Sequence, residues 1–306
     1  MHVRIATRKS ALALWQAEFV AEQLRQQDGI DEVSLVPLST RGDEVLDRSL
    51  QKIGGKGLFI KELELAMQAG DADIAVHSMK DVPAEMPAGF CIAAVLERAS
   101  PFDALVTNEA ESLGALRQGA IVGSSSLRRQ AQLLALRPDL VIKPLRGNVN
   151  TRLEKLRQGQ YDAIILACAG LERLGLGEHI RERIDSTMML PAAAQGVIGI
   201  ECLSDQRDLR RLLARIEHPE TRHTTRAERA VARHLQASCH SPVASYAVIQ
   251  GGKLLLRALV AAADGRKVLS DEQSADVEEA DQLGTRVAQQ LLDIGAAELL
   301  AEPGRA

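Results

Sequence analysis

The chain has 306 residues, enough for two or three domains at the usual ~100–200 residues each. Apolar residues make up 46% and charged residues 25%, which excludes global disorder. A net charge of −4 and only seven aromatic side chains exclude a whole-surface binder of nucleic acid or anionic membrane and a base-stacking platform.

Strand and helix alternate over the first two-thirds. Val3–Thr7 reads as a strand and Ser10–Gln27 as an amphipathic helix ended by Asp28-Gly29. Val33–Thr40 is a second strand. Arg41–Gly57 holds four glycines and several charges and reads as a long functional loop. A helix over Phe59–Ala69, stopped by Gly70, and strands over Asp73–Ser78 and Phe90–Leu96 complete a first set.

The pattern restarts near Glu97–Pro101. Ala104–Thr107 is a strand, Leu113–Arg117 a short helix and Ala120–Gly123 a strand. Ser124–Ser126 opens a helix to Leu136. Leu140–Leu145 is a strand, Arg146-Gly147-Asn148 leads a helix to Arg157, and Tyr161–Ala167 is a strand before another helix. Two such sets predict two doubly wound parallel sheets, an α/β arrangement that commonly binds ligand in a cleft.

Pro191–Gly196 reads as a return crossing and Val197–Cys202 as a strand rejoining the first lobe. Beyond His218-Pro219 the pattern changes to a helix over Thr221–Leu235. Strands over Ala244–Gln250 and Leu254–Ala262 meet at Gly251-Gly252, a two-residue hairpin signal. A strand over Val268–Ser274 and a helix over Ala280–Leu292 complete a small α+β domain. Asp271–Asp281 reads as a solvated acidic face. The expected division is residues 1–96 with 197–215, residues 97–196, and residues 216–306. No apolar run approaches the ~18 residues of a membrane span and no signal peptide is evident, so the expectation is a soluble cytoplasmic protein.

Charge gathers where open parallel sheets collect ligands, beyond strand carboxyl ends. Arg8 follows the first strand, Lys80 and Asp81 follow Asp73–Ser78, and Arg146 follows Leu140–Leu145, with Arg152 one turn on. Arg128 and Arg129 lie in the first turn of a helix opened by Ser124–Ser126. Cations there oppose the macrodipole unless an anion is near. A ligand with several carboxylates or phosphates is one reading, and pairing with an acid is the other. Asp81 reads as a cap or ion-pair partner, or as an acid acting on a bound cation. His77 reads as a core histidine, and Arg207, Arg211 and Arg215 as a solvated helix stripe.

Cys91, Cys168 and Cys202 lie in apolar runs and read as small buried hydrophobes. Cys239 lies in the polar turn Ala237-Ser238-Cys239-His240-Ser241-Pro242. No cysteine or histidine spacing suggests a metal site.

These residues carry a resemblance. Arg4–Ser10, Thr40–Asp43, Gly54–Phe59, His77–Pro83, Ser124–Arg129, Arg146–Arg152, Gln195-Gly196 and the Cys239 turn, in that order, resemble the porphobilinogen deaminase (hydroxymethylbilane synthase) family. The resemblance implies two lobes like type II periplasmic binding proteins plus a C-terminal α+β domain. It implies head-to-tail condensation of four porphobilinogen molecules into linear hydroxymethylbilane with loss of ammonia. It also implies a dipyrromethane cofactor held by a thioether, which falls on Cys239, and a monomer with no nucleic-acid or membrane partner. Asp81 falls on the catalytic aspartate. Lys80, Asp81, Ser126, Arg128, Arg129 and Arg146 fall on cofactor contacts. Arg8, Ser10, Arg152, Lys52 and Lys56 fall on substrate contacts, the two lysines in the long loop. Where the family has two glycines before the cysteine, this chain has Ala237 and Ser238.

The chemistry suits these residues. Each added unit brings two carboxylates, which Arg forks match. Loss of ammonia leaves an azafulvene-type cation, which an ionised carboxylate stabilises. A solute-binding protein on the same two lobes would need neither Cys239 nor Asp81.

Overall fold

The computed structural model describes residues 1–40, 60–238 and 240–301, so Lys52, Lys56 and Cys239 lie outside the described residues. In chain order the elements run β1 (His2–Arg8), α1 (Ala11–Arg25), β2 (Glu32–Leu38), α2 (Lys61–Gln68), β3 (Ile74–Ser78), β4 (Phe90–Val95) and β5 (Asp103–Thr107). Then come β6 (Ile121–Gly123), α3 (Leu127–Leu136), β7 (Val141–Lys143), α4 (Val149–Arg157), β8 (Ala163–Ala167), α5 (Cys168–Arg173), β9 (Glu182–Ile184) and β10 (Ile198–Leu203). The last are α6 (Arg207–Leu213), α7 (Pro219–His234), β11 (Val243–Gln250), β12 (Lys253–Ala261), β13 (Val268–Asp276), α8 (Ala280–Asp293) and α9 (Ala296–Ala301).

Two compact units result. One is Met1–Ala99 with Val197–Arg222; the other is Ser100–Gly196 with the chain from His223 onward. The first unit's sheet has the order β2-β1-β3-β10-β4. Val3, Ile5, Ile74, Val76 and Ile200 form its core with Ala17, Val20 and Leu24 of α1. Their i, i+3, i+7 spacing on α1 is one helical stripe. Ser10 caps that helix, its Oγ accepting from Ala13 N at 3.3 Å.

The second unit's first sheet has the order β7-β6-β8-β5-β9. Its three-stranded sheet, β11-β12-β13, is antiparallel throughout, with α8 packed on one face. Gln250 pairs with Lys253 across Gly251 and Gly252, whose φ values of 59° and 77° are those of the turn that matches strand twist. Gly265, at φ 74°, lies against α3, where a Cβ would stand 2.5 Å from Ala135 N. The acidic stretch is solvated over β13, but its end is not idle: Asp281 accepts from Arg226 Nε at 2.8 Å and from Arg233 Nη2 at 2.9 Å, tying α8 to α7.

Three expectations need correction. The large sheets are mixed: β10 runs antiparallel to β3 and β4, and β5 antiparallel to β8 and β9. Each is the first strand after the chain changes unit, so no crossover helix from a neighbour fixes its direction. Leu113–Arg117 forms turns rather than a helix. Gly119 (φ 69°) follows closely, and five residues are too few to hold a helix without tertiary help. The edge strand β9 was not anticipated, because three residues carry no readable alternation.

Candidate active site

In the first unit, β1 ends at Arg8 and β3 runs into a single 3₁₀ turn, Met79–Asp81. That turn is held from beneath. Met79 is buried, and its N–H donates to Val197 O at 3.0 Å. Its side chain lies over Gly199, where an added Cβ would stand 2.0 Å from Sδ, so any larger residue would have to displace Met79. Val82 N closes the turn onto Met79 O at 3.2 Å. The turn leaves Lys80 half-buried and Asp81 exposed. Among the described residues no hydrogen bond or ion pair engages the Asp81 carboxylate, so it is neither a helix cap nor a partner of Lys80.

Behind the turn, His77 Nε2 lies 2.7 Å from Glu201 Oε2, both side chains buried, which bears out His77 as a core histidine. Gln16 Nε2 donates to Ser78 Oγ at 2.9 Å. Burial, then the charge of Glu201, pushes the Glu64 carboxyl up.

In the second unit, Ser126 caps α3, accepting from Arg129 N at 3.5 Å, and Ser124 Oγ accepts from Ser126 N at 3.2 Å. Ser125 both donates to Leu145 O and accepts from Leu145 N, each at 3.0 Å, joining this turn to the end of β7. Arg128 and Arg129 are buried, 4% and 7% exposed, rather than open forks. Both face Asp103, which is wholly buried. Arg129 donates to Asp103 Oδ1 from Nε at 3.0 Å and from Nη2 at 2.6 Å; Arg128 Nη1 lies 2.8 Å from Oδ2 as an ion contact and donates to Leu190 O at 2.6 Å. Gln195 Nε2 adds a third donor to Oδ1 at 3.0 Å. Burial alone would raise the Asp103 carboxyl; the charges and hydrogen bonds of the two arginines outweigh it and hold the carboxyl far below the usual range. This is the anion that cations in the first turn of α3 require. Two guanidiniums against one carboxylate leave a net positive charge there.

Arg146 differs. It is half-buried, and among the described residues no carboxylate pairs with its guanidinium. Gly147, at φ 113°, turns the chain into α4, where Asn148 Oδ1 accepts from Thr151 N at 2.9 Å and Arg152 Nε donates to Gly147 O at 2.7 Å. Burial, then the charge of Arg146, pushes the His240 imidazole down. His240 Nε2 is buried with no hydrogen-bond partner among the described residues. Ser238 Oγ accepts from His240 N at 3.2 Å, and Ser241 Oγ accepts from Ser238 N at 3.0 Å. The left-handed residue of this turn is Gln236, at φ 51°, so Ala237 and Ser238 need no glycine-like φ.

Thus Arg8, Ser10, Lys80 and Asp81 lie in one unit at the carboxyl ends of β1 and β3. Ser126, Arg128, Arg129, Arg146 and Arg152 lie in the other at those of β6 and β7. Three supporting acids went unread in the sequence: Asp103, Glu201 and Glu228. Glu228, wholly buried, accepts from Ala194 N at 2.6 Å and Ala247 N at 2.7 Å, fixing the turn in which Ala194 takes φ 57°. Asp103 and Glu201 each sit in an apolar run, and a lone acid in such a run is the signal of a buried pair, whereas Glu228 stands between Arg226 and Arg229 and carries no such signal.

Comparison with known proteins agrees along the chain. The family model "Porphobilinogen deaminase, dipyromethane cofactor binding domain" matches residues 3–211, and "Porphobilinogen deaminase, C-terminal domain" matches residues 223–293. A curated porphobilinogen deaminase of Xanthomonas axonopodis pv. citri is 59% identical over 302 residues, covering 98% of this chain and 99% of the relative. One from Xanthomonas euvesicatoria pv. vesicatoria is 58% identical over 301 residues, with 98% and 99% covered. Among solved structures, the Bordetella pertussis BvgS periplasmic VFT2 domain is similar at 17% identity and a TM-score of 0.42, covering 69% of this chain and 85% of that one.

Proposed function

The chain belongs to the porphobilinogen deaminase family, and from that premise we propose how its residues share the work. It is a transferase of tetrapyrrole biosynthesis that condenses four porphobilinogen molecules head to tail into linear hydroxymethylbilane, with release of ammonia. The observation that carries the assignment of roles is the Asp81 carboxylate, exposed and, among the described residues, without a hydrogen bond or ion pair, on a turn fixed by Met79 and Gly199. A preorganised carboxylate stabilises the cation left when ammonia departs and is well placed to accept or return a proton at the reacting pyrrole. Holding the turn rigid avoids reorganisation as the charge develops.

The residues present fit a carboxylate-bearing cofactor. Among the described residues Arg146 has no acidic partner and the buried His240 Nε2 has no hydrogen-bond partner, so both have capacity for an incoming carboxylate. The dipyrromethane, when bound, supplies the free pyrrole carbon onto which the first unit is added. We assign its attachment to the Cys239 thiol, and its carboxylates to Lys80, Ser126 and Arg146, with Arg128 and Arg129 lending the positive charge that Asp103 anchors. Arg8, Ser10 and Arg152 hold substrate carboxylates, as do Lys52 and Lys56 of the long loop. We retain the division into residues 1–96 with 197–215, 97–196 and 216–306; the junction of the two family models between residues 211 and 223 supports the last boundary. Among the described residues no helix is long and apolar enough to cross a membrane. We propose a cytoplasmic monomer, as its relationship to the family implies.

Intact mass of the purified protein tests this reading, with Ehrlich's reagent to reveal a pyrrole. Two pyrrole units on the Cys239 peptide and none on those of Cys91, Cys168 or Cys202 are expected. A free Cys239 in active protein would overturn the attachment.

A further inference from the structure

Two thiols meet in the first unit. Cys91 on β4 and Cys202 on β10 are direct partners in the antiparallel ladder, and their Sγ atoms lie 3.9 Å apart. Opposed residues of antiparallel strands hold their Cα atoms about 4.5–5.5 Å apart, inside the ~4.4–6.8 Å a disulfide spans. The register there is firm: the next pair, Leu203 and Phe90, is in step, and the irregularity lies farther back at Ile200/Glu201. Cys202 is wholly buried in a cluster with Leu209 and Leu213, whereas Cys91 is partly exposed on the edge strand of its sheet. One sulfur is therefore within reach of a small reagent and the other waits behind it.

We propose that Cys91 and Cys202 are a thiol modification site, closing to a reversible disulfide when the protein meets a small disulfide of the glutathione class. The Cys91 thiolate attacks one sulfur of RS–SR, forming Cys91–S–SR and expelling RS⁻, which takes up a proton. Cys202 sulfur then attacks Cys91 Sγ. The second RS⁻ leaves, and the Cys202 proton passes to it. One RS–SR is consumed, two RSH are released and two protein thiols become one disulfide. Burial, then the neighbouring Cys91, pushes the Cys202 thiol up to about 12, so Cys91 is the entry point. Cys168, buried and likewise pushed up by burial, has no cysteine beside it among the described residues and serves as an internal control. The inference does not depend on the proposed function. Its structural effect would be to staple the last strand before the chain leaves the first unit to the first strand after it returns.

The experiment exposes the native full-length protein to oxidised glutathione, quenches with acid, alkylates, and maps peptides without reduction. A Cys91–Cys202 linked peptide, an intact mass lower by two hydrogens, and reversal by dithiothreitol are expected. Cys202→Ala should instead accumulate glutathione on Cys91, trapping the intermediate. Cys168→Ala should behave as the parent. The proposal is overturned if the parent accumulates the Cys91 adduct without the linked peptide. It is equally overturned if Cys91 stays fully alkylatable in both parent and Cys202→Ala, or if the linked peptide joins other cysteines.

Discussion

Asp81 and Arg146 are charges without partners of opposite sign among the described residues, while Arg129 is a charge fully committed to Asp103, and variants should separate the two kinds. Asp81→Ala removes no hydrogen bond or ion pair among the described residues, so it should leave the melting temperature nearly unchanged and lower kcat by two or more decades, roughly the effect of deleting a preorganised electrostatic group. Asp81→Glu keeps the charge one methylene away and should be impaired yet active, with partly elongated chains accumulating. Single-turnover kinetics with intact-mass detection of each added pyrrole reads both. Arg129→Leu strips a hydrogen-bonded partner from a buried carboxylate and should cost about 3–5 kcal/mol in chemical denaturation. Arg146→Leu should cost far less stability but stop loading or elongation. Arg211→Leu, on an exposed helix face, is the control and should do neither. Asp103 also sets an acid response. Its folded-state pKa is depressed, so its stabilising contribution is complete above the unfolded value near ~3.9 and is lost as pH falls below that toward the folded value. Asp103→Asn should flatten the dependence of stability on pH below about 4, even though the variant is less stable overall.

At the scale of elements, local chemistry decides what can be tested and what could be read. Ser126→Ala removes the α3 cap and should cost about 1 kcal/mol. Gly199→Ala places a methyl into Met79 and should displace the Asp81 turn, lowering kcat more than it raises KM, whereas a purely structural role would lower only the melting temperature. Helix caps and turns were legible because they rest on residues next to each other: Ser10 before α1, Ser126 before α3, Gly251-Gly252 between β11 and β12. The strip Val3, Ile5, Ile74, Val76 was legible because large aliphatic side chains recur at every second residue, which puts them on one face of a strand. Strand direction was not. Nothing in Val197–Cys202 tells that β10 will lie antiparallel between β3 and β4, since direction is set by the path of the chain and not by side-chain alternation. The candidate site was legible where cations follow strand ends. The commitment of Arg128 and Arg129 was not, because their partner Asp103 lies more than twenty residues away at the start of another strand.

For the molecule as a whole, an unloaded protein should be the weaker one. Cys239→Ser should fold, carry no pyrrole and melt below the loaded parent, because a group bound only by the native state stabilises that state. Paired melting curves of parent and variant test this; equal curves would detach the Arg146 charge from any role in stability. The position of β10 has a further effect, on how the polypeptide is made. Its place between β3 and β4 is empty until residue 203 has been synthesised, more than a hundred residues after β4 ends at Val95. At ~5–20 residues per second, β3 and β4 wait roughly 5–20 s on the ribosome with open edges. The second unit's first sheet, all of whose strands lie within residues 103–184, can close before the first does. Maturation therefore runs against chain order, and a nascent protein stalled before residue 198 should be cut by protease in its N-terminal hundred residues while its middle resists.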